Sequence, residues 1–321
     1  MSTPALKLVV TDQAFGNTRH EQAAAQAANA QFAEYQCHTE AETLEAVRGA
    51  HAVLNNFAPM TRQVMQAMAP GAVIVRYGVG VDNVDLEAAK AVGVRVCNVP
   101  DYGVEEVADH ASAMTLALVR KLDHYGAGIR NGQWKIAEMV DGLRSLRDTT
   151  VGLVGLGRIA RAYAARMASF GCRLVGFDPY VTHAQAHAAG IAPLPLDEVY
   201  ACANVLSLHV PLTPQTRHMI DAGVIARMPA GAILINCSRG GLVEETALSD
   251  ALASGRLAGA GLDVFEQEPL PAASPLRAAP HVFLSPHAAF FSDASVDRLQ
   301  RLAAEEALRG LRGEALRCLL N

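Results

Sequence analysis

Three small residues and one acid in the middle of the chain carry the first chemical signal. The apolar run Val151-Gly152-Leu153-Val154 ends in Gly155-Leu156-Gly157-Arg158-Ile159-Ala160. A second apolar run, Arg173 to Phe177, ends at Asp178, 21 residues after Gly157. Gly-x-Gly-x-x-Ala between a strand and a helix, with an acid closing the next strand, is the dinucleotide-binding fingerprint in its expected context. Gly155 permits the tight turn, Gly157 lets a pyrophosphate approach the backbone, and the Ala160 methyl still allows helix to pack on strand. The N–H groups of the first helical turn, around Arg158 and Ile159, would then face the phosphates. Asp178 can accept hydrogen bonds from both ribose hydroxyls, and its charge would repel a 2′-phosphate. Pro179 and Tyr180 follow, with no Arg or Lys to receive that phosphate. The expected cofactor is therefore NAD(H), not NADP(H). A ligand-free glycine turn is the competing reading, and strand, helix and acid together outweigh it.

The elements that must position these residues follow from the apolar pattern. Strands are expected at Leu6–Val10, Ala50–Asn55, Ala72–Val75 and Val94–Cys97, with helices at Arg19–Gln31, Thr61–Met68 and Leu86–Ala91 between them. This is βαβ alternation, and so a parallel sheet covered by helices. A long helix is expected from Val104 to Lys121, after which Gly126, Gly128 and Gly132 loosen the chain. A second set of six strands fits Thr150–Val154, Arg173–Phe177, Val205–Leu208, Ala232–Ile235, Ala260–Leu262 and Val282–Leu284, as a dinucleotide-binding sheet requires. The last segment, Asp293 to Leu311, is amphipathic, with Val296, Leu299, Leu302, Ala303 and Leu311 on one face.

Composition excludes several functions. With 321 residues the chain can build two domains, and 51 % hydrophobic residues argue against disorder. A net charge of −5 offers no basic surface for nucleic acid or anionic membrane. No apolar stretch approaches a membrane span, and Met1 to Val10 lacks signal-peptide anatomy. The six cysteines, Cys37, Cys97, Cys172, Cys202, Cys237 and Cys318, show no metal-ligand spacing and no disulfide framework. A cytoplasmic protein without metal is expected.

Five segments in order resemble the D-isomer-specific 2-hydroxyacid dehydrogenases over nearly the whole chain. They are Tyr77-Gly78-Val79-Gly80-Val81-Asp82-Asn83; Gly155 to Ala160; Leu234-Ile235-Asn236-Cys237-Ser238-Arg239-Gly240; Leu262-Asp263-Val264-Phe265-Glu266-Gln267-Glu268-Pro269; and Ser285-Pro286-His287-Ala288-Ala289. The flavour is that of the branch near the C-terminal-binding proteins and the phosphoglycerate dehydrogenases. The resemblance implies an α/β fold of two doubly wound parallel-sheet domains. A Rossmann NAD-binding domain, residues 101–289, would be inserted into a flavodoxin-like substrate domain, residues 1–100 and 290–321.

It also implies three catalytic positions, and their chemistry suits them. Reduction of a 2-keto acid needs a cation for the carboxylate, a proton donor for the developing alkoxide and a hydride donor. The planar fork of Arg239 can hold a carboxylate and the adjacent keto oxygen together. His287 is the implied proton donor, suited by a pKa near neutrality. Glu268 is the implied orienting acid, expected to favour the imidazolium and raise the His pKa. Glu266 is the competing acid. A Glu in this place argues against formate as substrate. By resemblance Asp263 binds the nicotinamide carboxamide, with a turn cap as the alternative. His209, Thr213 and Cys237 are expected to line the cofactor site, with Cys237 not a nucleophile.

Substrate selection is expected from the N-terminal domain, through Asn56 and the N–H groups around Val79 and Gly80. The two domains would close on the substrate and expel water. Val79, where phosphite dehydrogenases carry Lys, argues against phosphite. The loop Asn55-Asn56-Phe57-Ala58-Pro59 lacks the Arg that phosphoglycerate-handling relatives place there. With Phe290 and Phe291 as an apolar wall, or else as interdomain packing, this suggests an uncharged side group. The direction of Arg76 is open. Gly132-Gln133-Trp134 resembles the dimer-contact region, although the single Trp could equally be a core anchor; a homodimer is expected. The leading function is interconversion of a 2-keto acid and its D-2-hydroxy acid with NAD(H). The alternative is a cofactor-sensing corepressor of the C-terminal-binding-protein type, suggested by Val96 to Val107 and by Pro-His-Ala-Ala-Phe. Those proteins' long tails are not seen here.

Overall fold

The computed structural model describes residues 5–135 and 143–321. The chain divides into two compact units, Met1–Gly103 with Ser292–Asn321, and Val104–Phe291.

The first unit holds β1 (Lys7–Val10), β2 (Gln31–Glu34), β3 (Ala52–Asn55), β4 (Val73–Arg76) and β5 (Arg95–Cys97) in one sheet of order β2-β1-β3-β4-β5. All pairs are parallel. Its helices are α1 (Arg19–Ala27), α2 (Glu40–Ala46), α3 (Arg62–Gln66) and α4 (Leu86–Val92), with the C-terminal helix Asp293–Arg312 joining them. Alternate strand residues face opposite sides. Val9, Val53, Ile74 and Val96 pack with Val64, Met65, Ala88 and Ala89 on one side. On the other side Gly310 of the C-terminal helix lies so close to Val73 that a Cβ there would come within 2.3 Å. That helix starts at a Ser292/Ser295 capping box and stops at Gly313, φ 68°.

The second unit opens with α5 (Val104–Val119) and α6 (Leu122–Arg130). Seven strands follow: β6 (Thr150–Val154), β7 (Arg173–Phe177), β8 (Ala192–Pro193), β9 (Val205–Leu208), β10 (Ala232–Asn236), β11 (Leu257–Leu262) and β12 (Val282–Leu284). Their order is β12-β11-β10-β9-β6-β7-β8, and every pair is parallel. The remaining helices are α7 (Arg158–Ser169), α8 (His183–Ala188), α9 (Leu196–Cys202), α10 (Ala222–Arg227) and α11 (Glu245–Ala253), with Asp293–Arg312 as α12. One sheet face buries Val151, Leu153, Val205, Ile233 and Ile235 under α5 and α7. The other buries Val154, Leu206, Leu208, Leu234 and Leu262 under α9, α10 and α11. Both units are thus doubly wound, as expected, one in flavodoxin-like order and one in Rossmann order with an added strand.

Several elements differ from the sequence reading. α1 stops at Ala27, because Asn29 turns left-handed (φ 49°) and Gln31 already belongs to β2. β2 and α2 were not expected; β2 is an edge strand of half-exposed residues and gives little apolar signal. The chain around Gly126 and Gly128 is helical, inside α6. The Rossmann sheet has seven strands, since the two-residue β8 is too short to show a period. Among the described residues no helix is long and apolar enough to cross a membrane.

Leu206 is fully buried on the central strand β9. Leu206→Ala should lower stability by about 2–5 kcal/mol in urea denaturation; a loss below ~1 kcal/mol would mean the core is not built as described.

Candidate active site

In a doubly wound sheet, ligands bind where the strand order reverses. In the second unit that point lies between β6 and β9. Gly155 turns there with φ 90°, and a Cβ on it would stand 2.5 Å from the His209 carbonyl oxygen. Gly157 faces open space, with no atom within 4 Å of a Cβ position. It is also the N-cap of α7, and no side chain caps that helix. The first-turn N–H groups at Arg158 and Ile159 are thereby left for a ligand. Ala160 is fully buried against the sheet. Asp178 Oδ2 accepts from Leu156 N and Oδ1 from Tyr180 N, both at 2.8 Å. These bonds fix the carboxylate across the glycine turn. A side-chain-free cradle, an uncapped helix start and a held carboxylate fit a dinucleotide.

His209 follows β9. Its Nε2 bonds Ser207 Oγ at 2.9 Å, its ring lies 5.5 Å from that of Tyr163, and burial lowers its pKa to about 4. It is neutral at pH 7. Thr213 is held by reciprocal bonds with Thr216. Burial, and then the Asp263 carboxylate, push the Cys237 thiol well up, so it is not a thiolate.

The titrating groups gather after β10, β11 and β12. Gly240 lies against the backbone of Phe265, where a Cβ would overlap the carbonyl carbon at 1.8 Å. This close approach brings Arg239 beside the loop of Glu268. Asn236 sets the Arg239 backbone, donating from Nδ2 to Arg239 O at 2.8 Å and accepting from Ser238 N at 3.0 Å. Glu268 Oε1 accepts from Phe265 N at 3.0 Å, and Oε2 meets His287 Nδ1 at 2.7 Å. Burial raises the Glu268 pKa. The His287 hydrogen bond and charge, Phe265 N and the Arg239 charge outweigh that and hold it below its ordinary value. An ionised carboxylate only accepts, so His287 Nδ1 carries a proton and Nε2 is the exchanging atom. His287 itself sits at φ 54°.

Asp263, 1 % exposed, caps the turn that carries His287. Its Oδ1 accepts from Ser285 Oγ at 2.5 Å and Ala288 N at 2.8 Å, and its Oδ2 from Ala289 N at 2.8 Å. Its carbonyl accepts from His287 N at 2.8 Å. Glu266 is engaged elsewhere, with His218 at 3.3 Å and with Glu245 N at 3.1 Å.

Known proteins match this architecture. Residues 112–289 match the family model described as D-isomer specific 2-hydroxyacid dehydrogenase, NAD binding domain. The chain belongs to the D-isomer-specific 2-hydroxyacid dehydrogenase family. It is 41 % identical over 272 residues to the D-3-phosphoglycerate dehydrogenase of Mycobacterium tuberculosis, covering 84 % of this chain and 51 % of that protein. The chain thus spans about half the length of that relative. It is 38 % identical over 266 residues to the glyoxylate reductase of Korarchaeum cryptofilum, covering 82 % of this chain and 80 % of that one. The crystal structure of D-lactate dehydrogenase from Aquifex aeolicus, complexed with NAD and lactic acid, superposes with a TM-score of 0.86 at 27 % identity, covering 96 % of each chain. The family's cofactor is NAD.

The first unit supplies the remaining dehydrogenase-family motif. Asp12, at the end of β1 and 3 % exposed, accepts from Asn56 N at 3.0 Å and Phe57 N at 2.6 Å. Sequence reasoning missed Asp12, whose one signal is an acid directly after a buried strand. Asn55 Nδ2 donates to Thr11 Oγ1 and Ala58 O, and Asn83 Nδ2 to Asn55 Oδ1. These bonds order the loop carrying Asn56. Among the described residues no backbone carbonyl accepts from Val79 N or Gly80 N. Arg76 lies over this loop, its guanidinium 5.9 Å from the Phe57 ring centroid. A Cβ on Gly78 would strike Arg76 Nη1, so glycine there makes room for the cation. The absence of an Arg from residues 55–59 therefore does not leave the loop without a cation.

Trp134 is 83 % exposed, which rules out the core-anchor reading, and Phe291 is also exposed. Among the described residues the group with metal-ligand types is Asp123, His124 and His281. The two imidazoles stack with planes 12° apart. Asp123 meets both, 2.8 Å from His124 Nδ1 and 3.2 Å from His281 Nδ1.

Two outcomes are expected. Gly155→Ala should abolish NADH binding by fluorescence titration, because both the backbone angle and His209 O oppose a Cβ; retained affinity would refute the turn's role. A lowered carboxyl pKa stabilises the fold above the ordinary value, 4.5, and this is lost as pH falls through the lowered one. Glu268→Gln should accordingly flatten the acid side of the stability–pH curve, measured by urea denaturation from pH 7 to 3.

Proposed function

We propose that the chain is an NAD(H)-dependent oxidoreductase that interconverts a 2-keto acid and the D-2-hydroxy acid. The observation that carries this is the 2.7 Å contact of His287 Nδ1 with Glu268, beside Arg239 and in the same unit as the glycine turn. Bound NADH supplies a hydride to C2 of the keto acid. Arg239 holds the substrate carboxylate and keto oxygen, which polarises the carbonyl. His287 gives the Nε2 proton to the oxygen as negative charge develops there. Glu268 fixes the ring and stabilises the imidazolium before transfer. In oxidation the neutral ring accepts the proton. Asp178 reads the ribose hydroxyls, and His209, Thr213 and Cys237 line the cofactor's place. In the first unit, Asn56 and the N–H groups of Val79 and Gly80 are donors suited to a carboxylate. Arg76 adds a cation beside Phe57, so anionic side groups belong in the substrate panel.

We further propose a homodimer. Leu122 and Ile129, one face of α6, are exposed, as is Trp134. Apolar area of this kind is more often covered in an assembly than left in water. The free thiols of Cys37, Cys97 and Cys172, all buried, suit a reducing, cytoplasmic setting.

The decisive measurement is NADH oxidation with glyoxylate, hydroxypyruvate, pyruvate, phenylpyruvate, 2-ketoisocaproate, 2-ketogluconate and 3-phosphohydroxypyruvate, with NADPH in parallel. Turnover of about 1 per second or faster with one favourite is expected. Silence with NADH still tightly bound would favour a cofactor-sensing binding protein. Arg239→Ala should cut kcat/KM by at least ~1,000-fold and leave NADH affinity within about twofold; lost NADH binding would refute its substrate role. Asp178→Ala should weaken the preference for NADH over NADPH, and an unchanged ratio would mean another group reads the ribose. Ile129→Glu should convert a dimer to a monomer by analytical ultracentrifugation and red-shift the single Trp emission.

A further inference from the structure

His287 stands on a left-handed turn, φ 54°. For a non-glycine residue that backbone costs on the order of 1 kcal/mol, so the surroundings must enforce it. The enforcement comes from Asp263, whose oxygens take the N–H groups of Ala288 and Ala289 and the hydroxyl of Ser285. A second bond lies behind the first. Ser285 Oγ also meets His110 Nε2, at 2.9 Å, on α5. His110 Nε2 is itself 3.9 Å from Asp263 Oδ1.

The directions of these bonds are fixed by proton counting. A carboxylate only accepts, so the single Ser285 proton points to Asp263. Ser285 Oγ must then accept from His110, which therefore carries its proton on Nε2. Protonation of the ring at Nδ1 leaves that donor in place. His110 is thus the donor to Ser285 Oγ. Its contribution is to orient. At 2.5 Å the Ser285–Asp263 contact is in the range of a charge-assisted hydroxyl–carboxylate bond, and a donor to Oγ strengthens it by polarisation.

We propose that His110 and Ser285 are positioning residues: they fix the Asp263 carboxylate, which holds the left-handed turn that keeps His287 on Glu268. The inference rests on the proposed role of His287. All five residues lie in the unit Val104–Phe291. The chain spends a residue of its long helix α5 on this, and that helix packs on α7 and on β10 and β11. The turn is thereby tied to the core of the sheet and not only to its own loop.

The test uses His110→Ala, His110→Gln, Ser285→Ala and Ser285→Thr in the full chain. The first readout is steady-state kinetics with the favoured keto acid. The Ala variants should lose about tenfold in kcat, with KM and NADH affinity within about twofold. Gln keeps a side-chain N–H and Thr keeps the hydroxyl, so both should recover most of the rate. The second readout needs no turnover. The Glu268 carboxyl is titrated by ¹³C NMR in cofactor-free protein, with Glu268→Gln identifying its signal. Burial opposes its ionisation, while His287, Phe265 N and Arg239 favour it and hold its pKa down. A turn that no longer keeps His287 in place should let the Glu268 midpoint rise by about half a pH unit in the two Ala variants, but not in His110→Gln or Ser285→Thr. A purely structural defect would lower the melting temperature without moving that midpoint. The proposal is overturned by an unmoved Glu268 midpoint in both Ala variants, or by Gln and Thr failing as badly as Ala. It is also overturned by NADH affinity falling in step with kcat. Silent wild-type protein with a shifted midpoint would instead sink the oxidoreductase reading and leave the positioning role standing.

Discussion

Everything chemical in this chain depends on one constraint: all strands of each sheet run parallel. Parallel strands deliver their C-terminal ends to a single edge, and a crossover must carry the chain back each time. Asp12, Asn55 and Arg76 come out at one edge of the first sheet. Gly155, Asp178, His209, Asn236, Asp263 and Ser285 come out at one edge of the second. Residues far apart in sequence become neighbours because each closes or follows a strand. Apart from the edge strand β12, the interiors of those strands are apolar and mostly buried, which leaves the strand ends as the places where polar groups meet.

At those two edges, four acids do four different things, and their surroundings decide which. Asp178 stands at the rim and holds a glycine turn with one oxygen while staying accessible. Asp263 is buried and spends its oxygens on N–H and O–H groups of its own chain. Glu268 divides its two oxygens between a backbone N–H and an imidazole. Asp12 orders a loop through two backbone N–H groups. The same side-chain chemistry thus braces a glycine turn, supports a buried turn, meets an imidazole and shapes a loop.

The sequence was most legible where a residue is intolerant of replacement. Gly155 and Gly240 stand where a Cβ would collide with backbone, and both fall in motifs readable by eye. The order Arg239, Glu268, His287 was legible through flanking residues, and the structure brings Glu268, not Glu266, to the imidazole. Weakly patterned elements were not. β2 is an exposed edge strand and β8 is two residues long, so neither writes a period into the sequence. The glycines of α6 look like breakers, yet the helix continues through both, with a strong amphipathic face. His110 was invisible for a different reason. It is one of eleven histidines, and its partner Ser285 lies 175 residues away, a pairing no local pattern records.

The division of labour between the units has an evolutionary consequence. Arg239, Glu268, His287, the glycine turn and Asp178 all lie within one continuous stretch, Val104–Phe291. The loops after β3 and β4, with Phe57, Arg76 and Val79, belong to the other unit, built from both ends of the chain. Phe57 and Val79 are exposed, and changes there disturb no core packing. Those loops can therefore change in sequence while the stretch Val104–Phe291 keeps its own packing.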